Sequence, residues 1–199
     1  MNDFIAWIIR LLTGAHAQWR GCLPEEKQRI YFANHTSHLD AVTVWATLPS
    51  LVRQRTRPVG AKDYWEASGF RRWLAVKVFR AVLIERMNVT VRNNPLQVML
   101  SILTSGDSLI IFPEGTRSSG LEPNPFKSGL FHLAKDRPDI ELIPIYLENL
   151  NRILPKGEFL PVPLLGSITI GSPIRLGDGE DRATFLEKAR MAVWSLHKI

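Results

Sequence analysis

The sequence predicts a single α/β domain with a largely parallel central sheet flanked by helices and a short N-terminal amphipathic helix. Three observations carry this. Apolar runs of strand length alternate with helical stretches along most of the chain. The run Leu109-Ile110-Ile111-Phe112 is apolar throughout, as a strand buried on both faces must be. The length of 199 residues suits one domain, and 45% hydrophobic with 22% charged residues lies near the globular average.

The elements follow in order. Phe4–Leu12 holds apolar residues interrupted by Arg10, with Trp7 among them. It suits a helix lying in a membrane surface, and equally one packed on the protein's own core. We assign residues 1–20 to this N-terminal membrane-surface helix and 21–199 to the main domain. Ala15-His16-Ala17 resembles a signal-cleavage site, but the stretch before the apolar run carries Asp3 and no Lys or Arg, the wrong sign for a signal peptide. No segment reaches the ~18 consecutive apolar residues that span a bilayer.

Ile30–Ala33 reads as a strand and Ala41–Leu48 as a helix that Asp40 can cap. Pro58–Ala61 is a weak strand, Tyr64–Phe79 is helical apart from Gly69, and Ala81–Ile84 is a strand. Pro95–Thr104 is a helix, with Asn94 as cap and Pro95 at its first position. Ser105-Gly106-Asp107 turns the chain into the strand Ser108–Phe112. Phe126–Lys135 is a short helix and Glu141–Leu147 a strand. Asn149–Pro163, rich in Pro, Gly and charge, is a surface excursion. Ser167–Gly171 is a late strand, and Arg182–His197 is an amphipathic closing helix.

Charge narrows the partners. The formal net charge is +6. Between Leu51 and Arg92 ten basic residues stand against three acidic ones, a local net of +7 that carries the whole excess. Such a stretch favours an anionic partner. Trp65, Phe70, Trp73 and Phe79 are interleaved with the cations, a pattern that suits anionic lipid headgroups as well as one buried helix face. No nucleic-acid module accompanies the charge, so nucleic acid is not expected as a partner. The one cysteine, Cys22, excludes an intrachain disulfide and a cysteine zinc cluster, and is consistent with a reducing, cytoplasmic setting.

Two segments carry chemistry. Asn34-His35-Thr36-Ser37-His38-Leu39-Asp40 follows the first buried strand and opens a helix. Across that turn Asp40 can face His35, fix its tautomer and raise its basicity, so that the imidazole takes a proton from an alcohol. The substrate would then supply the nucleophile of a triad. Taken alone the spacing is common by chance, and Asp40 as a plain helix cap fits as well. Metal binding by His35, His38 and Asp40 lacks an evident fourth ligand.

The second segment, Phe112-Pro113-Glu114-Gly115-Thr116-Arg117-Ser118, follows the central buried strand. Gly115 permits a tight turn. Thr116, Arg117, Ser118 and the backbone N–H groups are donors suited to phosphate. Glu114 could bind a substrate hydroxyl or hold Arg117. By itself, Pro-Glu-Gly is also an ordinary turn.

Together the two segments resemble the glycerolipid acyltransferase family, which includes the 1-acylglycerol-3-phosphate acyltransferases. Asn34–Asp40 matches its Asn-His-x4-Asp block, and Phe112–Ser118 matches its Phe-Pro-Glu-Gly-Thr-Arg-Ser block at every residue. Val82–Arg86 resembles an intermediate block ending in Arg, although Arg80-Ala81 stands where a glycine is expected. Ile143-Pro144-Ile145 resembles the late apolar Pro segment, and Phe126-Lys127-Ser128-Gly129 a basic one. The resemblance covers roughly residues 30 to 147.

It implies a glycerol-3-phosphate acyltransferase-like fold, His35 as general base and Asp40 as its orienter. It implies Arg86, Thr116, Arg117 and Lys127 at the phosphate acceptor, with Glu114 and Gly115 shaping that site. It further implies no cofactor. An acyl-CoA or acyl-carrier-protein thioester would serve as co-substrate, with a lysophospholipid acceptor, at the cytoplasmic face of a membrane. Two rivals remain. Gly106-Asp107-Ser108-Leu109 spells a lipase signature but precedes a strand, and Trp194 stands where that family needs an Asp three before His197. A non-catalytic lipid-binding protein of the same fold is the other.

Overall fold

A computed structural model describes residues 2–86, 89–90, 93–118, 120–148 and 166–198. The described strands are β1 His16–Trp19, β2 Arg29–Ala33, β3 Thr56–Ala61, β4 Val82–Ile84, β5 Ser108–Ile111, β6 Glu141–Glu148 and β7 Ser167–Ile170. They form one sheet in the order β1-β7-β6-β2-β5-β3-β4. Every neighbouring pair is parallel except β6 with β7. The expected surface excursion Asn149–Pro163 lies outside the described residues, as does Arg92 of the basic stretch.

The sheet is buried on both faces because its central strands are apolar on both. Ile30 and Phe32 of β2 point to one side, with Leu109, Ile111 and Leu142. That side is covered by α6 (Pro95–Thr104), α7 (Gly129–Asp136) and α8 (Arg182–Trp194), through Leu103, Leu130, Leu133, Phe185, Ala189 and Val193. Tyr31 and Ala33 point the other way, with Ile110, Ile143 and Ile145. There they meet α1 (Asn2–Thr13) and α2 (Asp40–Thr47) through Ala6, Val44 and Trp45. Each fully buried Leu, Ile, Val or Phe among them stabilises by about 1.5–3 kcal/mol.

Local chemistry sets several boundaries. Asn94 accepts the Leu96 N–H and Pro95 opens α6, as the sequence predicts. Asp181 caps α8 by accepting from Ala183 and Thr184, and α8 ends at Trp194 in a 3-10 turn, Ser195–Lys198.

Four expectations are corrected. The N-terminal helical segment does not extend to residue 20. Helix α1 stops at Thr13, whose hydroxyl bonds back to the Ile9 carbonyl, and Gly14 (φ 58) turns the chain into β1, which pairs with β7. Tyr64–Phe79 is not one helix. It divides into α4 (Lys62–Trp65), α5 (Gly69–Trp73) and a π-helical turn, Leu74–Val78. Ser68 restarts the helix by accepting the Arg71 N–H, and Arg80 (φ 52) closes it in left-handed backbone. The helix expected from Phe126 starts at Gly129; Phe126 and Lys127 still belong to the loop, where the Lys127 N–H donates to the Pro113 carbonyl. Asp40 is not the cap of α2. It lies in the first turn, with Leu39 at the cap position.

Candidate active site

In a mostly parallel sheet, ligand sites form beyond the carboxyl ends of the strands. Here β2 and β5 are parallel neighbours paired as far as Phe32 and Ile111. The two motif loops that follow them therefore leave the sheet side by side. Strands β3 and β4 end at the same edge, paired through Ala61 and Ile84. That placement delivers Asp63, Tyr64 and Arg86 to the same region.

The loop after β2 is tied down at its start. The Asn34 side chain donates to the Leu147 carbonyl at 3.0 Å and accepts the Leu147 N–H at 2.7 Å, adding a side-chain rung between β2 and β6. No local signal in the sequence marks this rung, since its two ends are 113 residues apart. The Asp40 side chain then gathers the turn. Its Oδ2 accepts the Thr36 N–H at 2.6 Å and the Ser37 N–H at 2.8 Å, and meets His35 Nδ1 at 2.8 Å. Asp40 is fully buried, whereas the His35 side chain is 23% exposed. Asp40 Oδ1 is buried without a hydrogen-bond partner among the described residues.

An ionised carboxylate only accepts, so Nδ1 of His35 carries the proton and Nε2 keeps its lone pair. The ring also stacks on Phe112, with centroids 4.4 Å apart. An imidazole held on one edge and one face in this way can take a proton at Nε2 with little reorganisation. His38 does not join the pair as a metal ligand. Its ring stacks on Tyr64 at 4.4 Å, and no three His, Cys, Asp or Glu among the described residues are grouped to hold a metal. Loss of water at that stack pushes the His38 pKa down, and the nearby Arg117 adds to the shift.

The loop after β5 interlocks with the first. Glu114 is buried, and its Oε1 accepts the His35 N–H at 2.7 Å while Oε2 accepts the Asn124 N–H at 3.0 Å. The Ser118 N–H returns to the His35 carbonyl at 2.7 Å. Both Glu114 carboxylate oxygens are engaged by backbone N–H groups, because the side chain turns inward between the loops. Burial pushes its pKa up, and the two N–H donors offset part of that rise.

Gly115 has φ 71, and a Cβ there would lie 2.6–2.9 Å from the last atoms of Lys127. The left-handed backbone conformation favours glycine there, and the bare Cα lets the Lys127 ammonium lie close to the turn. The Arg86 guanidinium donates to the Gly115 carbonyl at 3.1 Å and lies 3.5 Å from Asp63. Thr116 and Arg117 are exposed, and Arg117 makes no ion pair with a carboxylate among the described residues. Thus Arg86, Gly115, Thr116, Arg117 and Lys127 converge on one loop beside His35. Such a set of donors can bind a phosphate monoester.

Much of the remaining basic stretch is already paired. Arg53 is buried on Asp3 and on the Ala46 and Leu48 carbonyls. Arg57 and Arg80 share Asp107. The Cys22 thiol is remote from the motif loops. It lies near Arg29 and Glu141, at the amino ends of β2 and β6, and burial pushes its pKa up. The described helices include none long and apolar enough to cross a membrane. Even so, α1 exposes Phe4, Trp7, Leu11 and Leu12.

Comparison with known proteins identifies the family and the fold. The family described as Acyltransferase matches residues 18–148. Human 1-acyl-sn-glycerol-3-phosphate acyltransferase alpha is 30% identical over 146 residues, 71% of this chain and 48% of that protein. The 1-acyl-sn-glycerol-3-phosphate acyltransferase of Haemophilus influenzae is 32% identical over 161 residues, 73% of this chain and 62% of its own length. The chain thus spans about half to three fifths of these relatives. The fold is that of the crystal structure of the 1-acyl-sn-glycerophosphate (LPA) acyltransferase PlsC from Thermotoga maritima. The TM-score is 0.72 at 16% identity, covering 99% of this chain and 80% of that one.

Proposed function

The chain belongs to the Acyltransferase family, and from that premise we propose that it moves a fatty acyl group from a thioester to the free hydroxyl of 1-acylglycerol-3-phosphate. The observation that carries this reading is the His35–Asp40 pair at 2.8 Å, set beside a loop with exposed, phosphate-suited cations.

In the proposed reaction the acceptor hydroxyl attacks the thioester carbonyl carbon. His35 Nε2 takes the hydroxyl proton as the new C–O bond forms, and Asp40 stabilises the imidazolium. The C–S bond then breaks, and the leaving thiolate recovers the proton from His35. The products are an ester and a free thiol, with no covalent acyl-enzyme. Arg117, Arg86 and Lys127 hold the acceptor phosphate, which places its hydroxyl near the imidazole. Glu114 positions both loops by accepting from His35 and Asn124. A lysolipid acceptor resides in a membrane, and the exposed apolar side of α1 gives the protein a surface with which to reach it.

The test is acyl transfer by the purified protein in detergent. Long-chain acyl-CoA and acyl-carrier-protein thioesters would be offered with lysophosphatidic acid, glycerol-3-phosphate and other lysolipids, with folded His35→Ala protein run beside them. Turnover on lysophosphatidic acid that the variant loses is the expected result. Turnover confined to another lysolipid would move the acceptor assignment. No turnover on any pair by folded, lipid-bound protein would replace the enzyme with a lipid-binding role.

A further inference from the structure

We infer that α5 is a second membrane contact, docking on an anionic bilayer so that the active site opens onto the lipid surface. This rests on the reading that the acceptor is a lysolipid. Helix α5 buries none of its five residues. Phe70 is 69% exposed and Trp73 46% exposed, with their rings 6.2 Å apart and nearly parallel, and Val76 extends the apolar strip into the following turn. A monomeric soluble surface rarely leaves such neighbours bare without a partner.

The occupant is indicated by charge. Arg71 and Arg72 lie between the two aromatics in sequence, and Lys77 follows, all exposed. Glu66 pairs with Lys62 and Arg72, and Asp63 with Arg86, which leaves Arg71 and Lys77 without a carboxylate partner among the described residues. Aromatic anchors flanked by cations fit an anionic headgroup layer above acyl chains.

Placement supports the same surface. Ile5, Ala6 and Ile9 of α1 pack into the same core cluster as Leu74, Val78 and Phe79, which follow α5 directly. Helix α1 and the turn that follows α5 therefore pack on one face of the sheet, and α1 and α5 both expose apolar residues. From α5 a short chain of contacts reaches the catalytic loop. Arg71 lies over the Tyr64 ring at 5.1 Å, and that ring stacks on His38, three residues from His35. An α5 seated on lipid would thus place the mouth of the site at the plane where a lysolipid headgroup lies.

The experiment uses the full chain and vesicles of phosphatidylcholine, with and without phosphatidylglycerol. A Cys22→Ser, Phe70→Cys protein labelled with an environment-sensitive dye should shift its emission to the blue on phosphatidylglycerol vesicles, less so in high salt. The Phe70→Ser, Trp73→Ser double variant, folded by circular dichroism, should float with these vesicles roughly tenfold or more less efficiently. It should lose turnover on vesicle-borne lysophosphatidic acid while keeping turnover on detergent-dispersed acceptor. No blue shift, or flotation equal to wild type, would overturn the inference and leave docking to α1. A concentration-dependent shift without lipid would assign the patch to a second copy and also overturn it. Absence of turnover in detergent would refute the acyltransferase reading alone, because the dye shift and flotation do not depend on catalysis.

Discussion

The loop after β2 turns its polar groups inward, whereas the loop after β5 keeps its cations in water. Asp40 is fully buried and collects two backbone N–H groups and the His35 ring on one oxygen. Thr116 and Arg117, by contrast, stand exposed at the turn made by Gly115. The difference fits two tasks. A proton acceptor works when its orientation is settled before substrate arrives. A group that recognises a charged headgroup must stay accessible until that headgroup binds, as exposed Arg117 does. Glu114 is the seam between the two, since it belongs to the second loop but accepts from His35 of the first.

The contrast can be broken at its strongest point. His35→Ala should lower kcat by ~100-fold to ~10,000-fold, the usual worth of a general base, with an unchanged far-ultraviolet spectrum. Retained turnover in folded protein would end the base assignment. Asp40→Asn comes next, at roughly 100-fold or more, because a neutral amide does not stabilise an imidazolium. Wild-type rates in this variant would reduce Asp40 to a structural tie.

The open loop predicts a different signature. Arg117→Ala should raise the acceptor KM by about tenfold, as expected for one lost charge-assisted hydrogen bond, with a smaller change in kcat. If kcat fell and KM held, the division of labour between the loops would be wrong.

The seam predicts the smallest effect on rate and one on stability. Glu114→Gln sets an amide N–H₂ against a backbone N–H and should cost about 1–3 kcal/mol in denaturant unfolding. Burial raises the Glu114 pKa, so the folded state holds this proton where the unfolded state has released it. That contribution is full below the ordinary carboxylate value of 4.5 and is lost as pH rises through the raised value. Glu114→Gln should flatten that part of the stability profile. Identical profiles would place the titration elsewhere.

The closing lesson is one of range. Signals that act within a few residues were legible in the chain: Asn94 and Pro95 set the start of α6, and the apolar run at residues 108–111 is a strand buried at every position. The motif residues were legible too, as residue types in order, and the structure brings His35, Asp40, Arg86, Gly115, Arg117 and Lys127 to one edge of the sheet. Other features depend on partners far away in sequence. Asn34 bonds Leu147 across 113 positions, and His35 bonds Glu114 across 79. Nothing near His16–Trp19 marks it as a strand, because only the ladder to β7 holds it. The break in Tyr64–Phe79, the inward turn of Glu114 and the meeting of Arg86 with Gly115 likewise follow from how β3, β4 and β5 lie side by side. Sequence alone supplied the residue types of the candidate site, because side-chain identity needs no context. Tertiary structure decided which of them are held and which stay free, because burial and hydrogen bonding are settled by neighbours the local chain does not contain.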